Sequence, residues 1–316
     1  LDLLAEILSN SILPANEIEK ERKVILQEIA QNKDIPDNYI FDLYYESAYA
    51  GQPMGHDLLG TTDFVQNVQK DQLLAYMQKF YTSNNMKIAI SGNFDQNKVY
   101  NYVEDKFSDI PDSNSTYSLP NTTYIPGTVH KTQDIDQTHI ILGFEGVSYS
   151  DDQFYIQNVA SMILGEGMSS RLFEQIREKQ GLCYHISSFT GSYHDIGLFG
   201  VYSATHPDKI KQMSISILDE LKKIADTVTD DELEIAKNQI CSAILMSLES
   251  TTARAEKIAS NQITFGRVIP IDEIRDRINS ITKFEICEYF SKIILKSEPT
   301  FASIGKRVDE SIYSLI

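Results

Sequence analysis

The 316-residue chain has few cysteines, a deficit of basic residues and no long apolar run. The three cysteines are Cys183, Cys241 and Cys287. An odd number of cysteines without C-x-x-C spacing excludes a disulfide framework and a zinc cluster of cysteines. It suits a protein of a reducing compartment. The net charge of −17 argues against nucleic acid or an anionic membrane as a partner, and it favours either basic peptides or no such partner. No apolar run approaches the roughly 18 residues of a membrane span.

The length and composition are typical of a soluble globular protein with two domains, since 316 residues exceed one ordinary core. Residues 109–127 hold three prolines among serine, asparagine and threonine, which predicts a linker between a first domain, 1–108, and a second domain, 128–316. The chain begins with Leu1 in what reads as a helix, so we expect a further part of the first domain to lie upstream.

The hydrophobic periodicity predicts a mixture of helices and strands on both sides of the linker. Helices are predicted near 16–32, 37–49, 70–82, 95–107, 152–164 and 169–179, and over most of 207–294. Strands are predicted at 86–91, 127–132, 137–145, 182–190, 196–204 and 299–304. This order of elements indicates an α+β fold.

An internal repeat relates the two sides of the linker. Residues 68–81 match residues 281–294 without a gap, pairing Leu73 with Ile286 at an offset of 213 positions. A duplicated domain is the simplest interpretation, and it places the start of the first copy about 85 residues upstream of the chain.

Two glutamates, Glu21 and Glu28, lie seven positions apart in the predicted helix 16–32, on the same side as Ile18 and Ile25. Neither has a lysine or arginine three or four residues away. A buried, unpaired carboxylate costs several kcal/mol, so an arginine from elsewhere, a shared proton or a metal must compensate the pair. The alternative is a pair at the edge of the helix that reaches solvent.

Five segments together resemble the pitrilysin/insulinase (M16) family of zinc peptidases, in its bacterial and mitochondrial-processing-type branch. They are I-E-K-E-R-K-V-I-L-Q-E-I (18–29), D-I-P-D-N-Y (34–39), G-Q-P-M-G-H-D-L-L-G-T (51–61), N-M-K-I-A-I-S-G (85–92) and G-E-G-M-S-S-R-L-F-E-Q-I-R-E-K-Q-G-L-C-Y (165–184). The resemblance implies two related domains, each an antiparallel sheet packed with helices, which face each other across a cleft.

Members of this family bind zinc through an H-x-x-E-H motif on a helix of the first domain and a glutamate from a later helix. By the resemblance, that later ligand corresponds to Glu28, and Glu21 corresponds to the acid that supports the site from beside it. Such a ligand set leaves a position on the zinc for a water whose pKa falls to about 7. None of the six histidines here has a glutamate at the required spacing, so we expect the motif upstream and expect this fragment alone to be inactive.

Arg177 and Tyr184 correspond to an arginine and a tyrosine that the second domain of the family directs to the substrate. An arginine can hold a peptide carbonyl, and a tyrosine hydroxyl can stabilise a tetrahedral oxyanion. The alternative is structural, with Arg177 at a helix C-terminus and Tyr184 packed in a sheet.

The resemblance implies a zinc-dependent metalloendopeptidase that cleaves peptides or unfolded segments bound as an added strand. It also implies a homodimer, or a heterodimer with a related subunit, in the cytoplasm or periplasm of a bacterium. Two other functions remain open: a non-catalytic scaffold or partner subunit of the same family, and an unrelated peptide-binding module.

Overall fold

A computed structural model describes residues 1–112, 120–296, 298–306 and 312. Part of the predicted linker therefore lies outside the described residues. The helices are α1 (Asp2–Asn10), α2 (Ala15–Asp34), α3 (Pro36–Ala48), α4 (Thr62–Asn67), α5 (Lys70–Phe80), α6 (Gln96–Phe107), α7 (Phe154–Gly165), α8 (Ile210–Thr227), α9 (Asp230–Ser247), α10 (Thr251–Phe265), α11 (Ile271–Ser280) and α12 (Lys283–Lys296). The strands are β1 (Thr128–Thr132), β2 (Thr138–Gly146), β3 (His185–Ser192), β4 (Gly197–Thr205) and β5 (Thr300–Gly305).

The chain forms two compact units, and each unit is built from segments that are not consecutive in the sequence. The first unit comprises residues 1–31, 58–120 and 247–268, and the second comprises 32–57, 121–246 and 269–316. Helix α3, from the first half of the chain, thus belongs to the second unit. The division into two duplicated domains, 1–108 and 128–316, stays a prediction.

The α+β fold is confirmed, but its described sheet lies in the second unit only. The predicted strand 86–91 is wrong, because among the described residues no strand lies beside this segment to accept or donate the ladder hydrogen bonds. The sheet order is β1-β5-β2-β4-β3. The sheet is also mixed and not purely antiparallel, because β1 and β5 run parallel, with Thr128 opposite Phe301.

Helices cover both faces of this sheet. All nine residues of the inner strand β4 are buried, as expected for a strand covered on both sides. Its Phe199 faces α12, where the ring centroids of Tyr289 and Phe290 both lie 5.9 Å away. Its Tyr202 points to the other face, where it stacks on Phe41 of α3 at 5.9 Å.

The packing of α3 requires a glycine in β2. A Cβ at Gly143 would lie 2.3 Å from the Tyr44 ring of α3, so a larger residue would displace the helix. The Tyr124 hydroxyl donates to the Gly143 carbonyl at 2.9 Å, and burial raises the pKa of Tyr124 to about 12. In the described parts of the chain, no helix has the length and apolar character needed to cross a bilayer.

Candidate functional site

Helix α2 carries Glu21 and Glu28 on one face, about 10.5 Å apart along the axis at a rise of about 1.5 Å per residue. Both side chains are exposed, so the prediction that they point inward is wrong. The cause lies in their surroundings: Val24, on the same face, is 46% exposed because no described element covers it. In α2 the buried residue is Ile29, on a neighbouring face.

The two glutamates differ from Glu17 and Glu19 in having no partner among the described residues, a property they share with Asp34 at the end of the helix. Glu17 accepts from Lys20 at 2.7 Å, and Glu19 pairs with Arg22 at 3.1 Å. Within the described residues, the carboxylates of Glu21 and Glu28 form no hydrogen bond or ion pair. The structure thus presents two uncompensated negative charges on one helical face.

Arg22 fixes the orientation of α2 within the first unit. Its guanidinium donates to the Val65 carbonyl and, at 2.9 Å, to the Val68 carbonyl. Both carbonyls are at the C-terminal end of α4, where backbone oxygens lack partners within the helix. Because Arg22 is held in this way, the face with Glu21 and Glu28 has a defined direction.

Arg177 lies in the second unit, on a π-helix that spans Phe173–Glu178. The amide of Lys179 donates to the carbonyl of Glu174 at 3.0 Å, five residues earlier. Such single π turns are rare and occur often at functional sites. The Arg177 guanidinium lies 4.4 Å from the centre of the Phe173 ring, and this cation–π contact restricts the side chain.

Tyr184 immediately precedes β3 and is 82% exposed, so the alternative that it packs in the sheet is wrong. Gly181, at a φ of +59°, ends the π-helix and turns the chain towards β3. Cys183 lies between Gly181 and Tyr184. Burial raises the pKa of the Cys183 thiol, and the positive charge of Arg177 partly opposes this rise.

Sequence reasoning missed the ion pair that holds the segment before this π-helix. Arg171 contacts Glu232 through Nε–Oε1 at 2.5 Å and Nη2–Oε2 at 2.8 Å. Glu232 also accepts from the Thr229 amide at 2.8 Å at the start of α9. Burial alone would raise the pKa of Glu232, but the hydrogen bonds from Arg171 and Thr229 lower it overall. The T-x-x-E spacing of a capping box was the available signal.

The described residues do not form a zinc site. They contain no group of three or more histidine, cysteine, aspartate or glutamate side chains that could hold a metal ion. Glu28 therefore belongs to no such group among them. A structural zinc takes four protein ligands and a catalytic zinc takes three, so this donor set does not fit the ion by itself.

Two sequence models of known families match the chain. The model described as "Insulinase (Peptidase family M16)" matches residues 1–62, and the model described as "Peptidase M16 inactive domain" matches residues 67–240. The segment with Glu21 and Glu28 thus falls in the first model, and the segment with Arg177 and Tyr184 falls in the second.

Curated relatives include several proteins named as zinc proteases. An uncharacterized zinc protease of Rickettsia felis is 37% identical over 96% of this chain and 74% of its own length. The uncharacterized zinc protease YmxG of Bacillus subtilis is 30% identical over 89% of this chain and 69% of its own. The mitochondrial-processing peptidase subunit beta of Neurospora crassa is 29% identical over 96% and 67%.

Solved structures show the same fold at low identity. A protease from Helicobacter pylori matches with a TM-score of 0.88 at 18% identity, over 96% of this chain and 75% of that chain. A chain of complex III2 from Candida albicans matches with a TM-score of 0.85 at 20% identity, over 96% and 75%. By its matched models and its relatives, the chain belongs to the insulinase family of peptidases, family M16.

Proposed function

We propose that this chain acts in a zinc-dependent metalloendopeptidase that cleaves peptides or unfolded polypeptide segments, with Glu28 as one metal ligand. The observation that carries the proposal is the pair of unpartnered glutamates on one face of α2, in the segment that matches the insulinase model. Relatives named as zinc proteases support the choice of metal. The remaining ligands must come from outside the described residues, so we expect no activity from the described residues alone.

The two glutamates have different roles in this proposal, as the resemblance to the family implies. Zinc–oxygen bonds are about 2.0–2.2 Å long, whereas the two residues stand about 10.5 Å apart along the helix axis. Direct binding of one ion by both carboxylates would therefore require the two side chains to stretch along the axis towards each other. We assign the metal to Glu28, and we assign to Glu21 the orientation of a neighbouring ligand through a hydrogen bond.

Arg177 and Tyr184 would bind the substrate in this proposal. The Phe173 ring holds the Arg177 guanidinium in place, which lowers the entropy lost when it donates to a peptide carbonyl. The Tyr184 hydroxyl has no hydrogen-bond partner among the described residues, so it is free to donate to a developing oxyanion.

The sheet supports binding of an extended substrate. Strand β3 lies at one edge of the sheet, pairs with β4 and begins one residue after Tyr184. A peptide that adds to this edge by main-chain hydrogen bonds would tolerate many side chains. The net charge of −17 favours basic peptides among these.

A second candidate function is a non-catalytic partner subunit in a homodimer or heterodimer. It is favoured by the match of residues 67–240 to a model described as an inactive domain, and by the structural likeness to a chain of complex III2. One relative is itself named as a subunit, the beta subunit of a mitochondrial-processing peptidase. A partner subunit would not need Glu21 and Glu28 to be acidic.

Peptide cleavage by the protein expressed from its complete gene tests the proposal. We expect a basic fluorogenic peptide to be cleaved faster than an acidic one, and cleavage to be lost in Glu28→Gln. The matched control is Glu17→Gln, which removes an exposed acid from the same helix and should retain activity. Full activity of Glu28→Gln would refute the ligand assignment, and inactivity of the unaltered protein would favour the partner subunit.

A further inference from the structure

An open pocket lies between three helices of the second unit. Its volume is about 210 Å³. Phe154 and Met162 line it from α7, and Ile240 and Ile244 line it from α9. These side chains are half-buried, and residues four or eight positions apart share one face of a helix. The pocket therefore exists because these helix faces do not close on one another.

The inner wall of the pocket is apolar and well packed. Ile274 and Ile278 of α11 are 7% and 2% exposed, so they form a dry surface. Asn158 also lines the pocket, but its amide donates to the Phe154 carbonyl at 2.7 Å and its Oδ1 accepts from Thr190 at 3.3 Å. The amide group is thus satisfied within the fold.

One charged side chain enters this apolar pocket. Glu166 follows the last residue of α7 and lines the pocket half-buried. Its Oε1 accepts from the Ser161 hydroxyl at 2.7 Å. Among the described residues, Oε2 has no donor and the carboxylate has no cation. A carboxylate beside apolar walls costs free energy unless a positive charge accompanies it.

The cation on the neighbouring helix does not neutralise Glu166. Arg277 of α11 lies 5.7 Å from the ring centre of Tyr155, another lining residue. Its Nη2 forms an ion pair with Glu273 Oε1 at 2.9 Å, one turn earlier on the same helix. The Arg277 charge is therefore compensated within α11, and the pocket retains a negative charge.

We propose that this cavity, which we call the Glu166 pocket, binds a small primary ammonium compound that carries one apolar group. The apolar group would contact the isoleucines and aromatic rings, and the ammonium would donate to the free carboxylate oxygen of Glu166. The size limits the ligand, because about 210 Å³ is less than the roughly 300–1,000 Å³ of pockets for drug-sized molecules. A single ring or a branched alkyl chain fits this limit. The site is independent of the proposed peptidase function.

Titration of the 316-residue chain with 2-phenylethylamine, followed by ligand-observed NMR, tests the proposal. The neutral probe 2-phenylethanol has the same apolar body, so comparing the two isolates the contribution of charge. We expect the amine to bind roughly ten- to a hundredfold more tightly than the alcohol, as for a hydrogen bond between charged groups. Equal affinities, or no binding of the amine, would overturn the proposal.

Two substitutions locate the binding. Glu166→Gln should reduce the affinity for the amine to that for the alcohol, whereas Asp226→Asn, an exposed acid on α8, should leave it unchanged. Ile244→Phe should fill the pocket and weaken both probes. If Glu166→Gln binds the amine as the unaltered chain does, the pocket assignment is wrong. The comparison of the two probes in the unaltered chain decides the matter even where a variant fails to fold.

Discussion

The Arg171 guanidinium and the Glu232 carboxylate form a bidentate ion pair, with Nε–Oε1 at 2.5 Å and Nη2–Oε2 at 2.8 Å. The pair connects the segment before the π-helix to the start of α9, 61 residues later. It is partly shielded from water, since the side chains of Arg171 and Glu232 are 12% and 27% exposed. The pair therefore anchors the chain two residues before the π-helix that carries Arg177.

Removal of the Glu232 charge should destabilise the second unit. We expect Glu232→Gln to lower the free energy of unfolding by about 1.5–3 kcal/mol, the range for hydrogen bonds to charged groups. Urea denaturation measures this difference. The control is Asp272→Asn, which breaks an exposed ion pair with Arg275 and should cost less than about 1 kcal/mol. Equal effects of the two substitutions would contradict a special role for Glu232.

The same pair predicts a dependence of stability on pH. The folded-state pKa of Glu232 is lowered, so its contribution is fully present above the unfolded value of about 4.3 and is lost as the pH falls through the folded value. We expect the difference in urea midpoint between the unaltered chain and Glu232→Gln to be constant from pH 6 to 7 and to shrink below about pH 4.5. If the difference in urea midpoint stays constant down to pH 3, the Arg171–Glu232 pair is not the source of that difference.

Gly143 should not tolerate a side chain. Because a Cβ there would lie 2.3 Å from the Tyr44 ring, we expect Gly143→Ala to destabilise the second unit by about 3 kcal/mol or more, at the upper end of overpacking effects. The matched control is Gly191→Ala in β3, where the nearest atoms belong to the flexible side chain of Leu198 at 3.1 Å. Thermal unfolding should show a larger loss of stability for Gly143→Ala than for Gly191→Ala. A smaller loss for Gly143→Ala would contradict the packing of α3 on the sheet.

Tyr184 should affect cleavage without affecting stability. Its side chain is 82% exposed, so Tyr184→Phe should leave the melting temperature unchanged. Loss of one oxyanion donor should lower kcat by about 10²–10³-fold with a small change in KM. Steady-state kinetics of the protein expressed from its complete gene measure both constants. If KM rises and kcat is unaltered, Tyr184 binds substrate but does not stabilise the oxyanion.

Local sequence patterns predicted many of the elements well. The helix predicted at 16–32 is observed at Ala15–Asp34, and the strand predicted at 196–204 is observed at Gly197–Thr205. The apolar spacing within each segment is sufficient for such predictions. The helix predicted near 169–179 is also present, although its hydrogen bonds widen to the π type between Phe173 and Glu178.

Features that depend on distant partners were not predictable in this way. The parallel pairing of β1 with β5 joins residues more than 160 positions apart. The strand predicted at 86–91 has suitable residues but no neighbouring strand in the part of the chain that the structure describes, and strands require partners. The inward direction of Glu21 and Glu28 was inferred from apolar residues on α2, but half-buried Ile25 and exposed Val24 show that this face is largely uncovered.

The zinc content of the purified protein tests the role of Glu28 most directly. After expression from the complete gene and dialysis against metal-free buffer, inductively coupled plasma mass spectrometry gives the zinc per chain. The proposal predicts about one zinc per chain in the unaltered protein and in Glu17→Gln, and little zinc in Glu28→Gln. Equal zinc in all three proteins, or none in the unaltered protein, would contradict it.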